Sequence, residues 1–567
     1  MKPIVGNQLN DAFVDTLLQI TPQLSAPETL YSVAEVKEFD RWLIDDQGIS
    51  ALSLVHQAGK AVVFLLEKQW LEKRWLEKQR PNPSNFIIFA GGGNNGADAY
   101  VVATLLKRKS LNVTVYTTTL HFDLAYPAKD AALEAIALGV EVRGFSGEIP
   151  KPDNQNTVII DGLCGIGFQG VLREPLAQMI DWINQSGCDV VSLDVPSGLN
   201  AQTGHLADIC VCASATVTFI ALKQGLLTGK AANVVGQLFY APLVKLQYFE
   251  EFERLVVSDV RRLTLQGMQA RMPRRLPAAH KGMQGHLWIL GGDRGFFGAA
   301  LLAAEASLRT GIGRVTVVTH SAHLMALNAR LPEAMTYSFD DIADQSEDVS
   351  ARLLAGADVV LVGPGLGQGV WGQALFHVAM KWSAQENKPL VLDADALNLL
   401  SKSAVWGGVS GASMRETSGV RPWVMTPHPL EAARLLGVSV DEIEKDRFLS
   451  VRQLAQKWQS VCILKGAGTL IAAGDAKNLS VSHTGNEGMA VGGMGDILAG
   501  MISAWVGQCA SIETASQLGV FFHGFVADYL KKNQGVRGML AHDLCQYLPK
   551  CVNDLIHCKE MNIYGNL

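Results

Sequence analysis

The chain has 567 residues, of which 48% are hydrophobic and 18% are charged, and its formal net charge is -6. Length alone suggests roughly three or four domains, or two large ones, in a well-packed globular protein. The negative charge argues against a general binder of nucleic acid or of membrane surfaces.

The nine cysteines form no CxxC pair, so we expect neither a zinc site nor a disulfide framework. The first residues, MKPIVGNQLNDAF, contain no apolar signal core. No apolar run reaches the roughly 20 residues that a membrane helix needs. We therefore expect a cytoplasmic protein without a membrane segment.

The first half alternates short apolar or β-branched runs with Gly, Asp and Pro turns and amphipathic stretches. This alternation predicts parallel strands covered by helices. A helix is predicted ahead of the first strand, over the near-repeat LEKQWLEKRWLEKQR at Leu66–Arg80. The predicted strands are Asn85–Ala90, Asn112–Thr117, Thr157–Ile160, Asp189–Leu193 and Ala215–Phe219.

Three turns that follow predicted strands are rich in glycine and polar residues. They are GGGNNGAD at Gly91–Asp98, DGLCGIGFQG at Asp161–Gly170 and DVPSGLN at Asp194–Asn200. Because the carboxyl ends of parallel strands meet at one edge of a sheet, we expect these turns to form one site. Side-chain oxygens of Asn95, Asp161 and Ser197 could bind a cation, and Asp194 could transfer a proton.

These motifs, extended to AGGGNNGADAYVVATLL and SLDVPSGLNAQTG, resemble the NAD(P)HX epimerase family over about residues 30–245. The resemblance implies a Rossmann-like three-layer αβα domain that binds hydrated NADH or NADPH (NADHX or NADPHX) and K⁺. Such a domain interconverts the R and S hydrates at C6 of the nicotinamide ring. By position, the resemblance implies Asp194 as catalytic residue and Asn95, Asp161 and Ser197 as K⁺ ligands. The implied substrate-binding residues are Asn94, Asn95, Gly96, Ala97, Asp98, Gly165, Ile166, Gly167, Phe168, Gln169, Gly170, Val171 and Asp194.

The first of these loops departs from the family pattern GNNGGDG, because Ala97 and Ala99 replace glycines. If position 97 needs a positive φ, alanine there costs about 1 kcal/mol or more. An alternative is therefore that the first half is a ligand- or protein-binding module without activity.

The second half shows the same alternation. We place the boundary between the halves near Phe249–Leu265, with one domain over residues 1–250 and another over residues 251–567. The predicted strands of the second half are His286–Leu290, Arg314–Val318, Asp358–Val362, Pro389–Leu392, Trp423–Met425 and Val461–Leu464.

The segment NEGMAVGGMGDILAG at Asn486–Gly500 places glycine clusters around one carboxylate, Asp496. Glycines allow backbone N–H groups to approach a ligand closely, and the N-terminus of a following helix favours anions. The segment therefore predicts a phosphate-binding turn in which Asp496 is a base that activates a hydroxyl group. The alternative is a tight turn with a capping aspartate.

Four further loops follow predicted strands of this half. GGDRGFFGA ends at Ala299 where a helix is predicted, and GPGLG spans Gly363–Gly367. TPHP holds His428 between two prolines, and KGAGTLI at Lys465–Ile471 offers a cation, glycines and a hydroxyl that suit a nucleotide. No Walker A spacing occurs.

The motif GGMGD resembles the glycine-rich turn and aspartate of proteins with the ribokinase-like α/β fold. Together with HKGxxG, LDADALN, TPHPxEAARLL and KGxGT, it resembles the ADP-dependent NAD(P)HX dehydratases over about residues 265–550. That family dehydrates the S hydrate to NAD(P)H and converts ADP to AMP and phosphate, with Mg²⁺ expected. The implied substrate contacts are Ala299, Gly365 or Gly367, His428 and the catalytic Asp496, and the implied nucleotide contacts are Lys465, Gly466, Ala467, Gly468, Thr469 and Gly495.

A kinase for a small molecule such as a vitamin precursor remains the alternative for the second half, since it would share GGMGD. The expected partners are NADHX, NADPHX and ADP, with neither nucleic acid nor membrane, and the chain is expected to form a homo-oligomer.

Overall fold

The computed structural model describes residues 17–22, 24, 27–71, 83–147, 149–340, 353–403, 421–509 and 511–556. The chain divides into two compact units, Met1–Val260 and Arg261–Leu567. The end of the predicted helix over Leu66–Arg80 lies outside the described residues.

The first unit contains a mostly parallel sheet. Its strand order is β1-β9-β8-β7-β6-β3-β4-β5, with only β1 antiparallel to its neighbour among the described pairs. The strands are β1 (Leu18–Gln19), β3 (Asn85–Ala90), β4 (Asn112–Thr117), β5 (Glu141–Gly144), β6 (Thr157–Gly162), β7 (Asp189–Leu193), β8 (Ala215–Phe219) and β9 (Gln237–Ala241), and a short strand β2 (Thr29–Leu30) precedes β3. The chain reverses its direction across the sheet between β3 and β6, which is where open α/β sheets bind ligands.

Helices cover both faces of this sheet. Neighbouring residues of one strand therefore point into two different hydrophobic cores. Ile88 and Ile160 pack into the core that contains the first four helices, whereas Phe89 and Ile159 pack with Ile180 of the fifth. The helices are α1 (Val33–Asp45), α2 (Ala51–Leu71), α3 (Asn94–Arg108), α4 (Ala128–Ala137), α5 (Leu176–Gln185) and α6 (Leu246–Leu255).

The second unit has a larger sheet that is parallel through most of its width. Its order is β13-β12-β11-β14-β15-β16-β17-β18-β19-β10, and the pairs of β18 with β17 and β19 are antiparallel. The direction reverses between β11 and β14, which again marks a ligand edge. The strands are β10 (Val260–Arg262), β11 (His286–Leu290), β12 (Arg314–Thr319), β13 (Met335–Ser338), β14 (Val359–Val362), β15 (Leu390–Leu392), β16 (Trp423–Met425), β17 (Val461–Leu464), β18 (Thr469–Ala472) and β19 (Leu479–Ser482).

Two layers of helices flank this sheet. One buried core joins strands β11, β12 and β14 to helices α8, α15, α16 and α17, and α10 packs against β11, β14 and β15. The helices are α7 (Leu265–Arg271), α8 (Phe297–Thr310), α9 (Ser321–Arg330), α10 (Val370–Glu386), α11 (Asp395–Lys402), α12 (Pro429–Leu436), α13 (Val440–Lys445), α14 (Arg447–Trp458), α15 (Met494–Val506), α16 (Ile512–Gln534) and α17 (Ala541–Ile556).

All eleven predicted strands are present, with ends that shift by up to two residues. The largest change is at β6, which extends to Gly162, so that Asp161 belongs to the strand itself. The predicted fold class, a Rossmann-like αβα domain followed by a ribokinase-like α/β domain, is confirmed. In the part of the chain that the structure describes, every helix is too short or too polar to span a bilayer.

Candidate active sites

A cavity of about 510 Å³ opens in the first unit beside the reversal between β3 and β6. The turns after β3, β6 and β7 supply much of its wall, so the three predicted loops do meet. Of the predicted residues, those in the wall are Asn94, Asn95, Asp98, Gly165, Ile166, Gly167, Phe168 and Asp194. Gly96 and Ala97 are buried in α3 behind the wall, and Gln169, Gly170 and Val171 are exposed beyond it.

Helix α3 begins at Asn94, within the glycine-rich loop itself. A Cβ at Gly96 would come within 1.9 Å of the Gly91 carbonyl oxygen, so only glycine fits at this close approach. Ala97 is buried, helical and not in the positive-φ region. The cost that alanine would carry at a positive φ therefore does not apply at position 97. Ala99 packs closely against Gly162, because a Cβ added at Gly162 would lie 2.6 Å from the Ala99 methyl group.

The three predicted K⁺ ligands converge around the backbone of Cys164. The Asn95 amide donates to the Cys164 carbonyl at 2.9 Å, and the Cys164 N–H donates to Ser197 Oγ at 2.9 Å. Ser197 Oγ in turn donates to Asp161 Oδ1 at 2.6 Å. The structure thus brings Asn95, Asp161 and Ser197 into one cluster of oxygen atoms.

Two features of this cluster suit a hard cation. Asn95 Oδ1 is buried and has no hydrogen-bond partner among the described residues. Asp161 is fully buried, and the hydrogen bonds that its carboxylate accepts from described residues come from neutral groups: Ser192, Ser197 and the Leu163 N–H. Burial raises the pKa of Asp161, and these hydrogen bonds oppose the rise. A bound cation would satisfy the orphan oxygen and balance the buried charge.

Asp194 lies at the turn after β7 with φ at +62°, an unfavourable backbone conformation for a residue other than glycine. Its N–H donates to the Val217 carbonyl at 2.7 Å, and its Oδ1 accepts from the Phe219 N–H at 3.2 Å. The ammonium group of Lys223, which is 1% exposed, also donates to Asp194 Oδ1. Surrounding contacts therefore hold this residue, with its strained backbone, in the wall of the cavity.

Two more carboxyl groups share this cavity with the pair of Asp194 and Lys223. Asp98 comes from α3, and burial with the nearby charges of Asp194 and Asp40 raises its pKa well above the ordinary value. Asp40 comes from α1, and burial raises its pKa to about 6, with Lys223 opposing and Asp194 adding to the rise. The cavity can therefore hold protons near neutral pH.

In the second unit, the turns after β11 and β14 meet. The Asp293 N–H donates to the Gly365 carbonyl at 2.6 Å, and a Cβ at Gly365 would come within 2.3 Å of the Phe296 carbonyl. Gly367 also approaches Asp293, because a Cβ added at Gly367 would lie 2.7 Å from the Asp293 carboxylate. Both glycines have positive φ, so the choice between Gly365 and Gly367 as the substrate contact stays open.

Asp496 lies in the first turn of α15, after the left-handed Gly493. Burial raises its pKa to about 7, the charge of Asp393 adds to the rise, and Lys465 opposes it. A carboxyl group that titrates near neutral pH, behind a glycine-rich turn at a helix N-terminus, suits a base next to a phosphate.

Ala299 lies in the first turn of α8, which runs beside α15 in the same direction. Gly493 approaches Leu302, and farther along both helices Ser307 Oγ donates to the Gly500 carbonyl at 2.9 Å. The N-termini of the two helices, with Ala299 on one and Asp496 on the other, therefore lie at the same end of this pair.

Lys465 connects the predicted nucleotide loop to buried acids. Its ammonium group lies 2.9 Å from Asp393 Oδ1 and 3.8 Å from Glu431 Oε2. Burial raises the pKa of Glu431 to about 7, and Lys465 opposes this rise. A Cβ at Gly495 would lie 3.7 Å from the same ammonium group. Lys465 therefore brings the start of the predicted nucleotide loop next to the phosphate turn.

His428 is the N-cap of α12, which begins at Pro429 directly after it. Its Nδ1 accepts from the N–H groups of Leu430 and Glu431, while its Nε2 lies 3.4 Å from Glu431 Oε1. Burial and the charge of Lys465 lower its pKa, so the ring is neutral at physiological pH. The next strand is close as well, since the Lys465 N–H donates to the Pro427 carbonyl at 2.9 Å.

The buried Arg447 holds the start of the loop over Lys465, Gly466, Ala467, Gly468 and Thr469. Its Nη2 donates to the carbonyls of Leu464 and Lys465 at 3.2 and 3.0 Å. Gly466 and Ala467 are exposed, and Thr469 Oγ1 donates to the Gly466 carbonyl at 2.9 Å.

Several charged residues in these two sites received no role from the sequence. Asp393 follows β15 directly and Glu431 completes a capping box with His428, so both had a recognisable local signal. Lys223 lies four residues after β8, where an isolated lysine is an ordinary surface residue. Asp40 and Arg447 lie within helices, where no local pattern points to a site.

The fold and these two sites define a two-site α/β enzyme whose second unit is ribokinase-like. The family model described as NAD(P)H-hydrate dehydratase matches residues 287–550, and the model described as YjeF-related protein N-terminus matches residues 51–225.

Full-length relatives resemble both units together. The chain is 38% identical to the bifunctional NAD(P)H-hydrate repair enzyme Nnr of Coxiella burnetii, over 92% of this chain and 99% of that protein. It is 37% identical to the Escherichia coli protein of the same name, over 96% of this chain and 98% of that protein. Among solved structures, the ADP/ATP-dependent NAD(P)H-hydrate dehydratase of Bacillus subtilis, co-crystallized with ATP and Mg²⁺, is 28% identical, with a TM-score of 0.44 over 52% of this chain and 98% of that chain.

The chain therefore belongs to the family of bifunctional NAD(P)H-hydrate repair enzymes. This membership favours the predicted pair of epimerase and dehydratase over a vitamin-precursor kinase.

Proposed function

We propose that this protein repairs hydrated NADH and NADPH. The first unit interconverts the R and S hydrates, and the second converts the S hydrate to NAD(P)H while ADP is converted to AMP and phosphate. The observation that carries this proposal is the position of Asp496, a carboxyl group of raised pKa in the first turn of α15, behind a glycine-rich turn and near Lys465.

The chemistry explains why a kinase-like site suits a dehydration. The hydrate carries a hydroxyl group at C6, and hydroxide is a poor leaving group because the pKa of water is about 15.7. Asp496 takes the proton of this hydroxyl, whose oxygen then attacks the terminal phosphorus of ADP and displaces AMP. The C6–O bond breaks with phosphate as the leaving group, a proton leaves C5, and the ring double bond is restored.

The N–H groups of the turn before α15 are suited to stabilise charge on the transferred phosphoryl group, together with the helix dipole. We assign Lys465, Gly466, Ala467, Gly468, Thr469 and Gly495 to the nucleotide. Ala299, His428 and either Gly365 or Gly367 are assigned to the hydrate.

Mg²⁺ is expected to accompany the nucleotide. Among the described residues no group of three or more His, Cys, Asp or Glu is suited to hold a metal. This fits Mg²⁺, which is commonly bound through one or two carboxylates and the phosphates of a substrate. Asp393 and Glu431, both next to Lys465, would hold it, and it would neutralise phosphate charge.

In the first unit, we assign Asn95, Asp161 and Ser197 to K⁺, because they combine an unpartnered amide oxygen with a buried carboxylate. K⁺ would balance the charge of Asp161 and order the turn at Cys164. Asp194 is assigned as a proton-transfer residue that Lys223 holds in position. Asn94, Asp98 and the residues from Gly165 to Phe168 are assigned to contacts with the hydrate.

The test uses the full chain with separately purified R and S hydrates. With ADP, the S hydrate should regain the absorbance of reduced nicotinamide, and the R hydrate should follow through the S form. Accumulation of a phosphorylated hydrate without that absorbance would identify a kinase. Conversion of the S hydrate only, with no exchange of R into S, would leave the first unit as a binding module.

The K⁺ assignment has a readout besides activity. KCl should raise the thermal unfolding temperature of the first unit relative to choline chloride, since a ligand of the native state stabilises it. Asn95→Ala should remove this difference. Homo-oligomerisation remains a separate prediction, which sedimentation velocity tests.

A further inference from the structure

Asp40 is an acidic residue of the first cavity to which neither the sequence motifs nor the proposed function assigns a role. It reaches the cavity from α1, whereas Asp194 reaches it from the turn after β7. Asp40 Oδ1 is buried and has no hydrogen-bond partner among the described residues. A buried carboxylate oxygen without a partner costs stability, so its position in the wall of a cavity points to a ligand.

The charged residues that line the cavity are Lys37, Asp40, Asp98, Asp194 and Lys223. Lys37 is exposed, so Lys223 is the buried cation in this wall, and it pairs with Asp194. Three carboxyl groups and one buried positive charge therefore line the same cavity. Full ionisation of all three would leave uncompensated negative charge, and at least one proton stays in the cluster near neutral pH.

The chemistry of R/S exchange requires two proton transfers. At C6 of the hydrate, the hydroxyl group lies beside the ring nitrogen N1, whose electron pair can expel it. The C6–O bond breaks, the hydroxyl leaves as water after it gains a proton, and N1=C6 becomes a cationic double bond. Water then adds to the other face of C6 and loses a proton, which gives the opposite configuration.

We propose that Asp40 is a second catalytic carboxyl group of the epimerase, which protonates the departing C6 hydroxyl while Asp194 takes the proton from the water that adds. The reverse reaction exchanges these roles, so one proton is gained and one is lost in each direction. The acidic cluster also stabilises the cationic ring that forms between the two steps. This inference rests on the proposed epimerase function.

The test compares Asp40→Asn with Asp45→Asn, which makes the same change of charge at an exposed position of the same helix. Asp40→Asn should reduce R/S exchange by about a hundredfold or more, the usual contribution of general acid catalysis. Asp45→Asn should leave exchange unchanged. Dehydration of the S hydrate should be unchanged in both variants.

Two measurements distinguish proton transfer from a structural role. In the wild type, kcat for exchange should fall as pH rises through about 6, since the acid must be protonated, and Asp40→Glu should retain this dependence while Asp40→Asn loses it. In ¹⁸O-labelled water, exchange should incorporate label at C6.

The outcomes separate the inference from the function on which it rests. Wild-type protein that exchanges neither epimer would contradict the epimerase itself. Wild-type exchange that Asp40→Asn preserves, or exchange that retains the original oxygen, would overturn the role of Asp40. If thermal unfolding shows that Asp40→Asn does not fold, the pH dependence of Asp40→Glu is the deciding measurement. A kcat that does not fall as pH rises through about 6 in Asp40→Glu would overturn the role of Asp40.

Discussion

Lys223 donates a hydrogen bond to Asp194 although 29 residues separate the two in the chain. The same ammonium group donates to Thr218 Oγ1 at 3.2 Å and to the Phe219 carbonyl at 2.7 Å. Lys223 thus ties the turn after β7 to the end of β8, next to the cavity. The strained φ of Asp194 persists because these contacts determine its position.

Asp194→Ala tests the separation of the two sites. The variant should abolish R/S exchange, because it removes the carboxylate that Lys223 positions, while dehydration of the S hydrate by the second unit should continue at the wild-type rate. Coupled assays with each purified epimer measure both. Loss of both activities in a folded variant would contradict separate sites.

Asp496→Asn tests the base of the dehydratase. We expect the rate of S-hydrate dehydration to fall by about a hundredfold or more, since an amide cannot accept the hydroxyl proton. In the wild type, activity should fall as pH decreases below about 7, because the raised pKa protonates this carboxyl group. Exchange of R and S should be unaffected. A near-normal dehydration rate in the variant would remove the assignment.

Lys465→Met tests the cation of the nucleotide site, with the exposed Lys477→Met as the matched control. The variant should lose the stabilisation by ADP that thermal unfolding detects in the wild type. It should also lose about 3 kcal/mol of stability, because Asp393 is left buried without its partner.

The double variant Lys465→Met/Asp393→Asn separates these two effects. It should regain much of the lost stability, because no unpaired charge remains at Asp393, but it should not regain the response to ADP, which is measured without Mg²⁺ so that the metal role assigned to Asp393 does not contribute. Recovery of the ADP response would show that Lys465 serves only to neutralise Asp393.

His523→Gln tests a pH dependence of stability in the second unit. His523 is buried in α16, and burial lowers its pKa to about 4 from 6.5, which a hydrogen bond to the Met494 backbone opposes. Because the unfolded chain binds the proton more readily, the stability from this residue is present above pH 6.5 and is lost as pH falls towards 4. Between pH 7 and pH 5 the wild type should lose about 2 kcal/mol more than the variant in urea unfolding. An equal loss of stability in the wild type and the variant between pH 7 and pH 5 would contradict this role of His523.

Ala97→Gly tests the departure from the family loop. Because Ala97 is helical and buried, glycine should cost about 1 kcal/mol in stability through the greater freedom of the unfolded backbone. R/S exchange should not increase. A faster exchange in the variant would mean that alanine at this position limits the epimerase.

The strand pattern and the glycine-rich turns were recognisable from sequence because they reflect local backbone preferences. β-branched runs such as Asp189–Leu193 and Val461–Leu464 form strands wherever both faces are covered. The turn before Asp496 was equally visible, since glycines before an apolar helix carry a local signal. The position of Ala97 was misleading, because its conformation depends on where α3 begins, and helix ends are the least certain feature of a sequence pattern.

By itself, the sequence determined two α/β units and the sheet edges at which their glycine-rich turns lie, and it predicted Asp194 and Asp496 as the catalytic acids. Tertiary structure decided the charged neighbours of these acids: Lys223 bonds Asp194, Asp40 lies in the same cavity, and the charges of Lys465 and Asp393 act on Asp496. It also decided the raised pKa of Asp496, since a pKa depends on burial and on charges from distant parts of the chain. Local sequence encodes backbone conformation, whereas the proximity of distant side chains arises only when the sheet and its helices pack together.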